Sequence, residues 1–240
     1  MTKPVDALFI GAHADDIELC CGGTLAKIVR SGKSAGIVEL TRGEMGTRGT
    51  AEIRLRESLD AAKILGASFR EQLDFGDGGL RTGRAEELQL MEVIRQCRPQ
   101  ILFAPWIEER HPDHARAGRL VIEAAFYAGL RKIETKHEAH RPQAVLHFIQ
   151  WHVPAVTFVV DVTETWQTRM DAVAAYKSQF FDPNSSAPRT KIAERQFLEM
   201  IEARGIHFGS LIGAHYGEAF VTAQPPKVND IFAAYGGREV

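Results

Sequence analysis

One histidine and three carboxylates lie within six residues of each other near the start of the chain. His13, Asp15, Asp16 and Glu18 follow directly after the apolar run 5–10, which is typical of a buried strand. Open α/β sheets bind their ligands at loops that leave the carboxyl ends of strands. Acidic side chains at such a loop suit a cation, because phosphates are bound by glycine-rich backbone N–H groups instead. The run therefore predicts a cation site.

A second cluster, the run His-Pro-Asp-His at 111–114, follows the apolar run 101–104. His111 and His114 have the same separation as the first pair, so one turn can direct both side chains to a single point. The proline suits a first helical turn. Two imidazoles and one carboxylate leave one tetrahedral position open to water, which is a typical catalytic zinc set. The spacing does not say which histidine of this cluster is the ligand.

Hydrolysis at such a site also needs a base. Asp15 stands beside Asp16 and is placed to accept a proton from water. A histidine that does not bind the metal could bind an oxyanion or protonate a leaving amine. Individually these residues have simpler interpretations, because Asp15 or Asp16 could cap the following helix and His111 could be a capping or surface residue. Since both clusters are expected at the same sheet edge, we favour the metal site.

Apolar strand-like runs alternate with helical patterns along the chain, which indicates βαβ units. The predicted strands are residues 5–10, 36–41, 72–75, 101–104, 147–151 and 158–162. The predicted helices are residues 23–30, 51–65, 86–97, 115–129, 165–180 and 191–208. We therefore expect an α/β fold, three-layered and Rossmann-like, with a mainly parallel central sheet. No linker or repeat stands out, so a single domain over 1–240 is expected.

Four loops are expected to meet at one edge of this sheet, because each follows the carboxyl end of a predicted strand. They are the acidic turn 12–16, the glycine-rich segment 42–50, the segment 76–81 and the segment 106–114. Their convergence is typical of an active site, although a layout alone does not name a reaction.

Composition disfavours several classes of function. The 240 residues are 45% hydrophobic and 25% charged, as in ordinary globular proteins. A net charge of −2 gives no bias towards nucleic acid or an anionic membrane. The three cysteines, Cys20, Cys21 and Cys97, lack the CxxC spacing of metal and redox sites. We expect reduced thiols and a cytoplasmic location.

The two clusters resemble the signatures of a known family. Residues 12–16 resemble the AH(P/A)DD signature of the LmbE-like, or PIG-L, N-acetylglucosaminyl deacetylases, and residues 111–114 resemble that family's HPDH signature. Further segments resemble the bacillithiol-pathway branch, which removes acetyl from N-acetylglucosaminyl-malate: 41–44, 46–50, 129–132, 176–180 and 217–220. The resemblance implies a zinc-dependent N-deacetylase that acts on this sugar conjugate in bacillithiol biosynthesis.

The resemblance also assigns roles to the two clusters. It makes His13, Asp16 and His114 the zinc ligands, Asp15 the general base, and His111 the oxyanion stabiliser or acid. Another divalent metal such as Fe²⁺ could occupy the same ligands.

Three further positions are interpreted through the resemblance. Arg54 matches the family's substrate-binding arginine, although the residue by itself favours a salt bridge on its helix face. Ala14 replaces the commoner proline of the signature, which loosens the loop slightly. A tyrosine that helps catalysis in some relatives falls at Phe197. Relatives commonly assemble, so we expect a homo-oligomer with a small acetylated sugar as its substrate.

Three other functions are compatible with parts of the sequence. The same scaffold could deacetylate another substrate, such as diacetylchitobiose or a thiol conjugate. A non-catalytic metal- or sugar-binding protein is disfavoured, because Asp15 and His111 are surplus to metal ligation yet suit catalysis. A dinucleotide-binding dehydrogenase is disfavoured because the first βα turn lacks the GxGxxG pattern.

Overall fold

One sheet runs through the computed structural model, which describes residues 3–183 and 185–235. The strands are β1 (Ala7–Gly11), β2 (Ala35–Glu39), β3 (Phe69–Gln72), β4 (Ile101–Pro105), β5 (Ala144–Phe148), β6 (Phe158–Asp161) and β7 (Gly217–Val221). The helices are α1 (Asp16–Arg30), α2 (Ala51–Leu65), α3 (Arg84–Cys97), α4 (Pro112–Ala128), α5 (Trp166–Ala174), α6 (Arg195–Ser210) and α7 (Ile231–Tyr235). Short 3₁₀ turns lie at Thr163–Thr165 and Lys191–Ala193.

The strand order is β3-β2-β1-β4-β5-β7-β6. Strands β1 to β5 pair in parallel, and β7 lies antiparallel between β5 and β6. The carboxyl ends of the parallel strands therefore share one edge, and the loops that leave them can meet. The predicted mainly parallel sheet is confirmed.

Helices cover both faces of the sheet. In β1, Ala7 and Phe9 pack into the core beneath α1, α2, α5 and α6, whereas Leu8 and Ile10 pack into the core beneath α3 and α4. Successive strand residues point to opposite faces, so a strand covered on both sides is apolar throughout. This arrangement confirms the three-layer α/β architecture. Across residues 3–183 and 185–235, no helix is both long and apolar enough to cross a membrane.

Several boundaries predicted from sequence were wrong. The third strand is Phe69–Gln72 instead of 72–75, and the fifth is Ala144–Phe148 instead of 147–151. Strand β7 was not predicted as a strand. Helix α5 ends at Ala174, well before the predicted residue 180, and α6 begins at Arg195 after a 3₁₀ turn. Polar residues within β3 and β7 interrupt the apolar pattern on which these predictions depended.

Glu18, the last carboxylate of the acidic run, lies at a helix start and outside the pocket that the other residues of the run line. Helix α1 begins at Asp16 instead of residue 23, so Glu18 lies within its buried first turn. The Glu18 carboxylate forms an ion pair with Arg70 of β3, which also pairs with Glu39 of β2. The single guanidinium faces both carboxylates inside the protein, where an unpaired charge would be very costly, and burial raises the pKa of Glu39 to about 7.

Helix α1 is interrupted at Cys21, whose φ of −149° and ψ of 20° are not helical. The Arg169 guanidinium donates to the carbonyls of residues 18 and 19 before the break. The Glu218 carboxylate accepts from the amides of residues 23 and 24 after it, at 2.9 and 2.7 Å. Arg169 and Glu218 also pair at 3.3 Å. Arg169 and Glu218 thus bind the backbone groups that lose their helical partners at the break. The first turn of α1 is therefore a separate short segment at the carboxyl edge of the sheet.

Candidate active site

The four loops at the carboxyl edge of the sheet line one pocket of about 340 Å³. All four contribute side chains, as the strand topology predicted. Their contributions are His13, Asp15 and Asp16 from the first loop, Met45 to Arg48 from the second, Asp77 and Gly78 from the third, and Arg110, His111 and His114 from the fourth. Hydrogen bonds join neighbouring loops, because Met45 N donates to Asp77 Oδ2 at 2.8 Å.

Three donor atoms converge at the base of this pocket. His13 Nδ1 lies 3.1 Å from His114 Nε2, and Asp16 Oδ1 lies 3.2 Å from the same nitrogen. Ligands about 2.0–2.1 Å from a tetrahedral zinc ion are themselves about 3.3 Å apart. The third separation, from His13 Nδ1 to Asp16 Oδ2, is 3.7 Å. The two imidazoles and the carboxylate therefore have the chemistry that a divalent metal ion requires, and two of their separations match its geometry.

The Asp16 carboxylate is held rigidly by the loop that precedes it. Its Oδ2 accepts hydrogen bonds from the backbone N–H groups of Ala12 and His13, both at 2.9 Å. Burial opposes ionisation, but His114 and His13 outweigh it and hold the pKa of Asp16 well below its ordinary value. A Cβ atom at position 11 would lie only 3.2 Å from Asp16 Cβ, so the glycine allows the backbone of β1 to approach Asp16 closely. Asp16 is therefore a fixed carboxylate with Oδ1 directed at the two histidines.

Two further carboxylates orient His13. Its Nε2 lies 3.1 Å from Asp77 Oδ1 and 3.6 Å from Asp113 Oδ2, and Asp113 in turn accepts from the N–H groups of Gly78 and Leu80. Burial lowers the pKa of His13, but these carboxylates and Asp16 raise it well above the ordinary value. A carboxylate on the second ring nitrogen is common for metal-binding histidines. Sequence reasoning did not assign Asp77 or Asp113, although Asp113 lies within the HPDH run.

His111 is both a capping residue and a pocket residue. It is the N-cap of α4, and its Nδ1 accepts from the N–H of Asp113 at 3.2 Å. This bond places the ring proton on Nε2. Burial, together with His13 and His114, lowers the pKa of His111, so the ring stays neutral. Nitrogens of the three histidines also lie close enough together to hold a metal ion, so proximity alone does not choose between His111 and Asp16 as the third ligand.

Asp15 occupies the N-cap position of α1, but its side chain makes no capping hydrogen bond. Its carboxylate lines the pocket, and Oδ1 lies 3.6 Å from Arg54 NH2. Arg54 NH1 donates to the carbonyl of Gly43 at 2.9 Å. Gly43 has a φ of +66°, and a Cβ there would lie 2.3 Å from Arg54 NH1. Arg54 is thus buried in the pocket wall, away from any helix-face salt bridge, and its Nε has no partner among the described residues.

The mouth of the pocket carries aromatic and cationic side chains. Phe197 lines the wall, and its ring stacks on Phe180 with centroids 6.0 Å apart. The guanidinium of Arg110 lies 4.3 Å from the ring centroid of Trp151. Arg48 donates from NH2 to Ser185 Oγ, and its buried Nε has no partner in the part of the chain that the structure describes. Arg48 and Arg110, which we call the mouth arginines, were missed by sequence reasoning although both lie in predicted loops.

Metal-ligand donors beside an uncommitted carboxylate and a neutral histidine are typical of metal-dependent hydrolases. Residues 8–125 match the model of the family described as PIG-L, GlcNAc-PI de-N-acetylase. The chain is also 36% identical over 188 residues to diacetylchitobiose deacetylase from Thermococcus kodakarensis, which covers 72% of this chain and 69% of that protein. The chain belongs to this LmbE-like, or PIG-L, family of hydrolytic deacetylases, whose members use a divalent metal ion.

Solved structures support the same assignment. The conserved protein TT1542 from Thermus thermophilus has a TM-score of 0.85 and 38% identity, covering 93% of this chain and 97% of that one. The N,N'-diacetylchitobiose deacetylase from Pyrococcus horikoshii, complexed with its inhibitor MPG, has a TM-score of 0.79 and 25% identity. It covers 91% of this chain and 83% of that one. The three-layer fold is therefore the fold of known deacetylases.

Proposed function

We propose that this chain is a zinc-dependent hydrolase that removes the acetyl group from an N-acetylglucosamine derivative. The observation that carries the proposal is the convergence of His13 Nδ1, Asp16 Oδ1 and His114 Nε2 in a pocket that also contains Asp15 and His111. Family membership supports the deacetylase class, and Fe²⁺ is the alternative metal. A cytoplasmic location and a homo-oligomeric state are also part of the proposal, from the resemblance and the cysteine content.

In the proposed reaction the metal-ligand residues, Asp15 and His111 have different tasks. A divalent metal ion bound by His13, Asp16 and His114 would lower the pKa of a water molecule and polarise the acetyl carbonyl. Asp15 accepts the proton of the attacking water as the carbon–oxygen bond forms. His111 donates its Nε2–H to the developing oxyanion. The amine takes up the proton from Asp15 as the carbon–nitrogen bond breaks, which leaves acetate and the free amino sugar.

We further propose that the substrate is N-acetylglucosaminyl-malate. The mouth arginines offer guanidinium groups to an acidic aglycone, because guanidinium and carboxylate form bidentate charge-assisted pairs. Arg54 also lines the pocket and is proposed to contact the substrate through its guanidinium group. The competing proposal is a neutral sugar such as diacetylchitobiose, which the similarity to two enzymes named for that substrate favours.

Acetate release by the purified protein tests both levels of the proposal. We expect release from both substrates, about tenfold faster from the malate conjugate, since one charged hydrogen bond contributes about 1.5–3 kcal/mol. A strong chelator should abolish release, and stoichiometric Zn²⁺ or Fe²⁺ should restore it, with metal content measured on the same samples. Faster release from diacetylchitobiose would favour the neutral substrate. Bound metal without release from either compound would instead indicate a non-catalytic protein.

Replacing Arg110 with methionine should separate the two substrates. Methionine keeps apolar packing on Trp151 but removes the charge. We expect kcat/KM for N-acetylglucosaminyl-malate to fall about 10- to 100-fold, mainly through KM, and that for diacetylchitobiose to change less than about twofold. Arg131→Met, an exposed arginine outside this pocket, is the matched control. Equal losses of kcat/KM on the two substrates would show that Arg110 does not bind the acidic group of the malate conjugate.

A further inference from the structure

Two buried donors converge on the main-chain carbonyl of Ala14. The Arg70 guanidinium donates to this oxygen through NH2, and the Tyr176 hydroxyl donates to the same atom. Ala14 is completely buried and lies between His13 and Asp15 in the loop that leaves β1. Neither Arg70 nor Tyr176 lines the pocket. Both therefore contact the loop from behind, on the side away from a substrate.

The Arg70 guanidinium is itself fixed in place. Its Nε pairs with Glu39, its NH1 pairs with Glu18, and NH1 also donates to the carbonyl of Ser58 at 3.0 Å. The three charged side chains are almost completely buried. Buried ion clusters of this kind are weak evidence for stability, because apolar replacements are often as stable. The contact that distinguishes this cluster is the one to Ala14.

Tyr176 reaches the loop beside Arg70, whose guanidinium carbon lies 6.0 Å from the centre of the tyrosine ring. It lies two residues beyond the end of α5, and its ring is completely buried. Among the described residues, its hydroxyl bonds to the Ala14 carbonyl alone, so the hydroxyl can be removed without disturbing another contact. At position 14, alanine lacks the fixed φ that a proline would impose. Two donors on the carbonyl restrain the peptide plane that leads into Asp15.

We propose that Arg70 and Tyr176 are positioning residues, which together form a clamp on the Ala14 carbonyl that directs the Asp15 carboxylate. The inference rests on the proposed role of Asp15 as the base. The metal-ligand candidates are held by other bonds: Asp16 by two backbone N–H groups, and His13 by Asp77 and Asp113. Loss of the clamp should therefore impair proton transfer and leave metal binding intact.

Tyr176→Phe tests the clamp, because it deletes only the hydroxyl. We expect kcat to fall about tenfold, since small displacements of a catalytic group cost up to about 100-fold. KM and the affinity for Zn²⁺, measured by competition with a chelating dye, should each change less than about twofold. Tyr216→Phe is the matched control, because the Tyr216 hydroxyl bonds to Glu202 at 3.1 Å outside the site. Its kcat should equal that of the unmodified protein.

The outcomes separate the clamp from the proposed function. If Asp15→Asn is inactive and Tyr176→Phe has full kcat, the clamp is wrong and the proposed function stands. If Tyr176→Phe loses Zn²⁺ affinity in parallel with kcat, the hydroxyl supports the whole loop and the specific link to Asp15 is wrong. Full activity in Asp15→Asn would overturn the base assignment itself, and the clamp with it. A kcat loss without a change in KM or Zn²⁺ affinity supports the clamp.

Discussion

Replacing Asp15 with asparagine is expected to reduce kcat about 10²- to 10⁴-fold, the usual contribution of a general base. Asparagine has the same shape but cannot take up a proton, and it also removes the charge that faces Arg54 at 3.6 Å. Asp15 makes no capping bond in α1, so the helix start should be unaffected. Turnover on the preferred substrate and metal content per chain are the measurements, and the metal content should be unchanged.

Asp74→Asn is the control for the charge change. Asp74 lies in the connection after β3 with its side chain 66% exposed, so its replacement should leave both turnover and metal content unaltered. Near-full activity of Asp15→Asn would show that another group accepts the proton. Loss of metal from Asp15→Asn would instead show that this carboxylate is a ligand, and the division of labour between Asp15 and Asp16 would be wrong.

The strands that sequence periodicity predicted well are those covered on both faces. Strands β1 and β4 are apolar throughout, and β2 is apolar up to Glu39, because each packs into two cores. This packing gives a continuous hydrophobic run. Strands β3 and β7 were misplaced or missed because Arg70 and Glu218 lie within them. Both residues are buried by pairing with side chains far away in sequence. Ion pairs between residues far apart in sequence cannot be recognised from the hydrophobic pattern of the strand itself.

The site residues also divide into those that local sequence spacing predicted and those that long-range contacts place. His13 with Asp16, and His111 with His114, are close in sequence, so local spacing was sufficient to predict that they converge. For Arg54 the residue by itself favoured a salt bridge on its helix face, but the close approach of Gly43 places it inside the pocket wall.

Three further residues depend on how separate segments meet. Asp77 belongs to a loop whose course is set by contacts with its neighbour. Arg48 lies in a segment that was expected at this edge, but its side chain is placed by a contact with Ser185, far away in sequence. Tyr176 reaches the loop behind the site through tertiary packing alone. The spacing of residues in a single sequence does not show which side chains of separate segments come into contact. For this reason these residues were not assigned.

Replacing each histidine of the HPDH run with alanine should give two different defects. His114→Ala removes Nε2, which faces both His13 and Asp16, so we expect metal affinity to fall more than about 100-fold, beyond the effect of changing a supporting residue. His111→Ala should keep the metal and lose about 10²- to 10³-fold in kcat, the effect of removing one oxyanion donor. Metal affinity by chelator competition and kcat at saturating metal distinguish the two.

The two variants also decide the third ligand, because nitrogens of His13, His111 and His114 lie close enough to hold a metal ion without Asp16. His111 uses Nδ1 to accept from the N–H of Asp113 at the start of α4, so His111→Ala should also lower stability by about 1 kcal/mol through loss of the cap. If His111 were a metal ligand, His111→Ala would lose bound metal as well as stability. If His111→Ala released the metal and His114→Ala retained it, the ligand and the oxyanion donor would have to be exchanged.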